Sequence, residues 1–139
     1  MNRDELKKIL PHREPMLLVD EAYLNEDGTA TGYYNVRGDE YFLQGHFPGN
    51  PIVPGVILCE IMAQSCFTLF IDAFEEHLIL YRGLDAVKFR GTVHPGDLCE
   101  MQATLVEHKG SIYLCEAALS VNGKRCAQAR ITLALTPKV

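Results

Sequence analysis

Two side chains in this sequence have types and spacing suited to moving protons, His46 and Glu60. His46 lies in Leu43-Gln44-Gly45-His46-Phe47-Pro48-Gly49-Asn50-Pro51-Ile52-Val53-Pro54-Gly55-Val56. The prolines and glycines of that stretch exclude regular helix and central strand. Glu60 sits one turn inside the apolar run that follows, Ile57 to Phe70. An unperturbed imidazole is largely deprotonated at neutral pH and can serve as a base. A carboxyl on a helix that is apolar on nearly every face is drawn out of water, and burial favours its protonated form, the state a general acid needs. Taken singly, each has a plainer reading: a loop histidine satisfied by backbone, and a structural glutamate paired inside a core. Their placement on either side of one helix start favours chemistry.

The elements that would hold this pair follow from the surrounding sequence. Pro54 suits the first turn of a helix, where a missing N–H costs nothing. Gly55 lets another group approach the backbone, and the unpaired N–H groups of the first turn point outward as anion donors. A helix apolar all round is surrounded by protein or by lipid. This run is shorter than the roughly 20 residues a bilayer needs, and Glu60 and Gln64 interrupt it, so burial in a soluble core is expected.

Upstream, Asp4 to Leu10 reads as a short helix stopped by Pro11, with His12 and Arg13 anchoring the loop after it. Met16 to Leu24 and Thr29 to Val36 read as strands joined at Asp27-Gly28. The central helix is expected to end near Glu75-Glu76. Leu78 to Arg90 reads as a long strand, turned at Pro95-Gly96-Asp97 into the next. In Leu98 to Val106, Cys99, Met101, Ala103 and Leu105 alternate with polar residues, and Cys126 to Thr136 alternates likewise. Such alternation means one packed face and one wetter face. Asn122-Gly123 is a two-residue hairpin between the last two strands. One apolar helix with five to six long antiparallel strands predicts an α+β fold in which a curved sheet wraps the helix.

The 139 residues suit one domain, 1–139, with 47% apolar and 22% charged residues and a net charge of −5. That charge argues against a nucleic-acid binder. The charged opening is unlike a signal peptide, which predicts a cytoplasmic protein. Five cysteines without C-x-x-C spacing read as buried thiols; neither a metal nor a cofactor is implied.

Gly45-His46-Phe47-Pro48-Gly49-Asn50-Pro51-Ile52-Val53-Pro54-Gly55-Val56, followed by Glu60 and Met62-Ala63-Gln64, resembles the β-hydroxyacyl-acyl-carrier-protein dehydratases of fatty-acid synthesis. Leu10-Pro11-His12-Arg13-Glu14-Pro15-Met16-Leu17-Leu18-Val19-Asp20 is similar to that family's opening. Leu84 to Arg90, with Pro95-Gly96-Asp97, is similar to its segment after the helix. The resemblance implies a hotdog fold, a homodimer with a continuous sheet that is often a trimer of dimers, and an acyl carrier protein as the substrate's bearer. It also implies that His46 and Glu60 are the catalytic pair, contributed to one working site by different subunits. A glutamate at position 60 favours the dehydratase-only type, since the isomerising relatives have aspartate there. Gly91-Thr92 and His94 depart from the family's usual residues.

Dehydration of a β-hydroxyacyl thioester removes a proton from Cα and expels hydroxide from Cβ. His46 would take the proton, the Gly55 N–H would support the thioester oxygen, and Glu60 would protonate the leaving hydroxyl. Phe47, Pro54 and Val56 flank these groups and are expected to touch substrate. Leu58, Ile61, Met62, Phe67 and Phe89 are candidate tunnel lining, although plain core explains any one of them. Arg82, Lys88, Arg90, Lys124 and Arg125 could form a basic patch for an acidic carrier protein. A thioesterase, or a non-catalytic acyl-thioester-binding module on the same fold, are the alternatives. The first has no need of the His-Phe-Pro loop; the second would be expected to lack His46 or Glu60.

Overall fold

A computed structural model describes residues 1–73 and 77–137. The elements run α1 (Arg3–Leu6), β1 (Glu21–Leu24), β2 (Ala30–Asn35), a 3-10 turn (Tyr41–Leu43), α2 (Gly55–Cys66), a 3-10 continuation (Phe67–Ala73), β3 (His77–Phe89), β4 (Leu98–Lys109), β5 (Ile112–Val121) and β6 (Lys124–Pro137). The six strands make one antiparallel sheet in the order β1-β2-β4-β5-β6-β3.

Period-two alternation sets which face of the sheet is covered. Cys99, Met101 and Ala103 of β4 are buried, as are Cys115, Ala117 and Leu119 of β5 and Ala127, Ala129, Ile131 and Leu133 of β6. Helix α2 packs on this face against β2, β4, β5 and β6. Gly32 marks the closest approach. A Cβ there would stand 2.6 Å from the Ser65 hydroxyl, so any side chain would push helix and sheet apart. Helix α2 has no polar stripe: Leu58, Cys59 and every residue from Ile61 to Cys66 are buried, and its exposed position is Val56. This is the sheet wrapped around a central helix that the sequence predicts, the hotdog fold.

The alternation in β4 fails at Leu105, which was expected to be buried and is exposed. A register shift between Leu105 and Glu107 bends the β4–β5 hairpin there. Met16 to Asp20 is not strand, as the sequence suggested; β1 starts only at Glu21. In this segment Leu17, Leu18 and Val19 are all buried, without alternation, because the Gln64 side chain of α2 accepts the Leu18 N–H at 2.8 Å in place of a strand partner. Helix α1 is shorter than predicted, closed at its start by a capping box between Asn2 and Glu5. The α-helical part of the central helix ends at Cys66, and Phe70 at φ −143° breaks the 3-10 continuation. Its expected end at Glu75-Glu76 lies outside the described residues.

All five cysteines are free and buried. Among the described residues no helix is long and apolar enough to cross a membrane. Strand β3 forms one edge of the sheet and exposes Leu80, Tyr81, Leu84 and Phe89.

Candidate active site

The loop from Gln44 to Pro54 is shaped by backbone bonds that need its glycines. Gly45 and Gly49 both have positive φ, a region L side chains avoid. The Ile52 N–H returns to the His46 carbonyl at 3.0 Å, and the Val53 N–H ties the loop to the Val93 carbonyl at 2.8 Å. His46 Nδ1 lies 2.8 Å from the Ile52 carbonyl, so Nδ1 carries the hydrogen and donates it. The neutral ring then has its lone pair on Nε2, the free position of a base. The ring stacks on Phe47 at 4.2 Å between centroids.

Helix α2 begins one residue later than the sequence suggested. Pro54 is its N-cap, with extended ψ, and Gly55 is the first helical residue. The first bonds to close are Ile57 N–H and Leu58 N–H to the Pro54 carbonyl, 2.9 and 3.1 Å. The N–H groups of Gly55 and Val56 therefore precede the helical ladder and are available as anion donors. A Cβ at 55 would stand 2.9 Å from the Phe89 ring, so a side chain there would have to displace that exposed ring.

Glu60 is the one charged residue of α2, and its side chain retains 18% exposure. Gln64, one turn on, donates from Nε2 to Glu60 Oε2 at 2.8 Å. The same amide nitrogen donates to the Met16 carbonyl, also at 2.8 Å, so the side chain that positions Glu60 is itself held on both its atoms. His12 approaches the same oxygen, its Nε2 3.7 Å from Glu60 Oε2. Tyr81 of β3 completes the surround. Its hydroxyl donates to the Cys59 carbonyl at 3.3 Å. Although the residue as a whole is exposed, partial desolvation of its hydroxyl end raises the phenol above its usual range, and the Glu60 carboxyl adds to that.

Glu60 opens into a cavity of about 420 Å³ lined by Val56, Cys59, Glu60, Tyr81, Arg82, Gly83 and Leu84. Of the predicted site residues the cavity thus gathers Glu60 and Val56, while His46, Phe47, Pro54 and Gly55 are not among its lining. Phe47 is exposed on the loop. Leu58, Ile61 and Met62 of α2 and Phe67 just beyond it are buried, each 5% exposed or less, and none of them lines this cavity. Phe89 is exposed and covers Gly55. Arg13 anchors its loop as expected, donating to the Leu10, His12 and Lys7 carbonyls.

Sequence reasoning missed three residues around Glu60. The i,i+4 spacing of Glu60 and Gln64 was a usable signal for one of them. Tyr81 and His12 reach the carboxyl from distant segments and carry no local sign of it. Among the described residues no group of histidine, cysteine and carboxylate side chains is placed to hold a metal ion.

Fold and site together define a hotdog domain with a partly buried carboxyl on its central helix. The same fold occurs in a dehydratase heterocomplex, ApeI:P, from Xenorhabdus doucetiae, with a TM-score of 0.82 at 20% identity over 96% of this chain and 91% of that one. It also occurs in a mutant thioesterase from Pseudomonas aeruginosa, with a TM-score of 0.71 at 13% identity over 99% and 96%. Residues 10–130 match the FabA-like domain, and the chain belongs to that family. It is similar to the 3-hydroxyacyl-[acyl-carrier-protein] dehydratase FabZ of Clostridium beijerinckii, 39% identical over 97% of this chain and 99% of that protein. The enzyme of the same name from Natranaerobius thermophilus is 41% identical over 97% of each.

Proposed function

We propose that the chain dehydrates 3-hydroxyacyl thioesters borne by acyl carrier protein in fatty-acid biosynthesis, with His46 as base and Glu60 as acid. The similarity to FabZ dehydratases along almost the whole chain supports the reaction. The observation that carries the residue assignment is Glu60 itself, a carboxyl held by a neutral amide donor at the wall of a cavity. His46 Nε2 takes the Cα proton. The N–H groups at the start of α2 hold the thioester oxygen as charge develops on it. Glu60 gives its proton to the departing hydroxyl, which leaves as water. Phe47, Pro54 and Val56 border the acyl chain near these groups.

One working site takes His46 and Glu60 from two chains. In support, the cavity around Glu60 lacks His46, and the apolar edge strand β3 beside it lies uncovered in a single chain. Exposed edges of this kind are normally paired or shielded, and β3-to-β3 pairing of two chains would do so. The homodimer, and its assembly into a trimer of dimers, belong to this reading. The carrier protein would approach the end of the sheet where β3 meets β6. Pairing of Lys88 with Gln128 brings exposed Lys88, Arg90, Lys124 and Arg125 together there, and Arg82 lines the cavity.

A mixed dimer tests the reading. His46→Ala and Glu60→Gln chains with different tags are co-expressed, the heterodimer is purified, and hydration of a crotonyl thioester is followed by loss of enoyl absorbance. Each homodimer should be inactive. The heterodimer should recover about half of wild-type activity, because one of its two sites receives both intact groups. An inactive heterodimer, with dimerisation confirmed, rejects the shared site. Near wild-type turnover in either homodimer removes that residue from the mechanism, and release of free thiol would indicate a thioesterase.

A further inference from the structure

A titratable group beside Glu60 that the acid–base pair does not use is His12. Its Nε2 is 3.7 Å from Glu60 Oε2, and its ring stacks on Phe67 at 5.6 Å between centroids. Its other nitrogen, Nδ1, is buried and has no hydrogen-bond partner among the described residues. These facts favour the neutral ring. An imidazolium bears hydrogen on both nitrogens, so charging His12 would bury an unpaired N–H, next in sequence to Arg13. The neutral ring with its hydrogen on Nε2 leaves only an unused lone pair at Nδ1, which costs less. Burial accordingly draws the imidazole below its usual value; the Glu60 carboxyl opposes this and Arg13 adds to it.

Two uncharged donors therefore converge on a single carboxyl oxygen: Gln64 Nε2 at 2.8 Å and His12 Nε2 at 3.7 Å, both on Oε2. An oxygen that accepts from Gln64 and has a second donor close by is a poor place for a proton. We propose that His12 is a positioning residue for Glu60, acting with Gln64 to keep Oε2 as acceptor so that the acid proton rides on Oε1. At 3.7 Å the contact is longer than a hydrogen bond. A small rotation of either side chain closes it, as catalytic hydrogen bonds commonly tighten when substrate binds. Neutrality matters as much as direction. A cation in this place would hold Glu60 ionised and withdraw its proton from the reaction. The groups nearest Glu60 are His12, Gln64 of its own helix and Tyr81 of β3, all uncharged; the charged neighbours are Arg13, which adjoins His12, and Arg82 of β3, which lines the same cavity.

The inference rests on Glu60 being the acid, so Glu60→Gln is assayed beside the His12 variants in the crotonyl-thioester assay, with melting temperatures for each. Loss of a hydrogen bond to a carboxyl in the transition state predicts about a tenfold lower kcat for His12→Ala, with KM little changed. His12→Gln, which restores an uncharged N–H donor, should recover most of it. His12→Lys should move the alkaline limb of the pH–rate profile to lower pH, a change that a purely structural role would not produce. Wild-type kcat in His12→Ala while Glu60→Gln is inactive overturns this inference and leaves the acid assignment standing. A folded His12→Gln no more active than His12→Ala, or an unmoved limb in His12→Lys, overturns it too. Where His12→Ala does not fold, a folded His12→Gln with kcat tenfold or more below wild type does the same. Full turnover in Glu60→Gln instead rejects the acid assignment itself.

Discussion

Replacing Gln64 with methionine keeps the length and flexibility of the side chain and removes both its polar atoms. Gln64 is 1% exposed and makes three bonds of 2.8 Å, to the Leu18 N–H, the Met16 carbonyl and Glu60. The Leu18 N–H is the expensive loss, because its bond is fully buried and Leu17, Leu18 and Val19 seal the segment around it. An orphaned buried donor costs about 1–3 kcal/mol. The Met16 carbonyl is nearer the surface and can turn to water, so it adds little. The expected destabilisation is about 2 kcal/mol, a fall in Tm of about 4–8 °C for a chain of this size. Urea unfolding at one protein concentration, fitted with a shared slope, measures it. A loss under about 0.5 kcal/mol, the level of an ordinary surface change, would refute the claim that Gln64 substitutes for a strand partner at Leu18. Turnover should fall as well, since Glu60 loses its closest donor.

Gly55→Ala should cost about 1 kcal/mol or less, because its Cβ would meet the Phe89 ring at 2.9 Å and that exposed ring can move aside. Adding Phe89→Ala should return most of that, and urea midpoints of the three proteins decide it. Asp20→Asn probes acid stability. Burial works against the Asp20 carboxylate, but the Asn35 N–H and the Arg37 and Arg3 guanidiniums outweigh it and hold the group below its ordinary 3.8. Between the depressed value and 3.8 the native chain binds fewer protons than the unfolded one. The contribution is therefore complete above 3.8 and is lost as pH falls through the folded value. The variant should be less stable at neutral pH and show a flatter decline of the urea midpoint with acidification; an unchanged decline would refute the assignment.

Local sequence alone determined the antiparallel strands, the buried helix and the loop before it, because each depends on near neighbours. Period-two alternation needs only which residues are apolar, and Asp27-Gly28 and Asn122-Gly123 turn the chain by their own backbone preferences. Glu60 stood out as a carboxyl in an apolar run, and His46 as an imidazole among prolines and glycines. Tertiary structure decided what surrounds them. Met16 to Asp20 looked like strand because it is apolar, but a side chain 46 residues from Leu18 supplies the missing partner. Leu58, Ile61 and Met62 looked equally able to line a tunnel or fill a core, and only the direction in which α2 faces the sheet separates those outcomes. His12 and Tyr81 reach Glu60 from segments far away in the chain. No local pattern encodes such contacts, because they arise only when the helix is seated in the sheet.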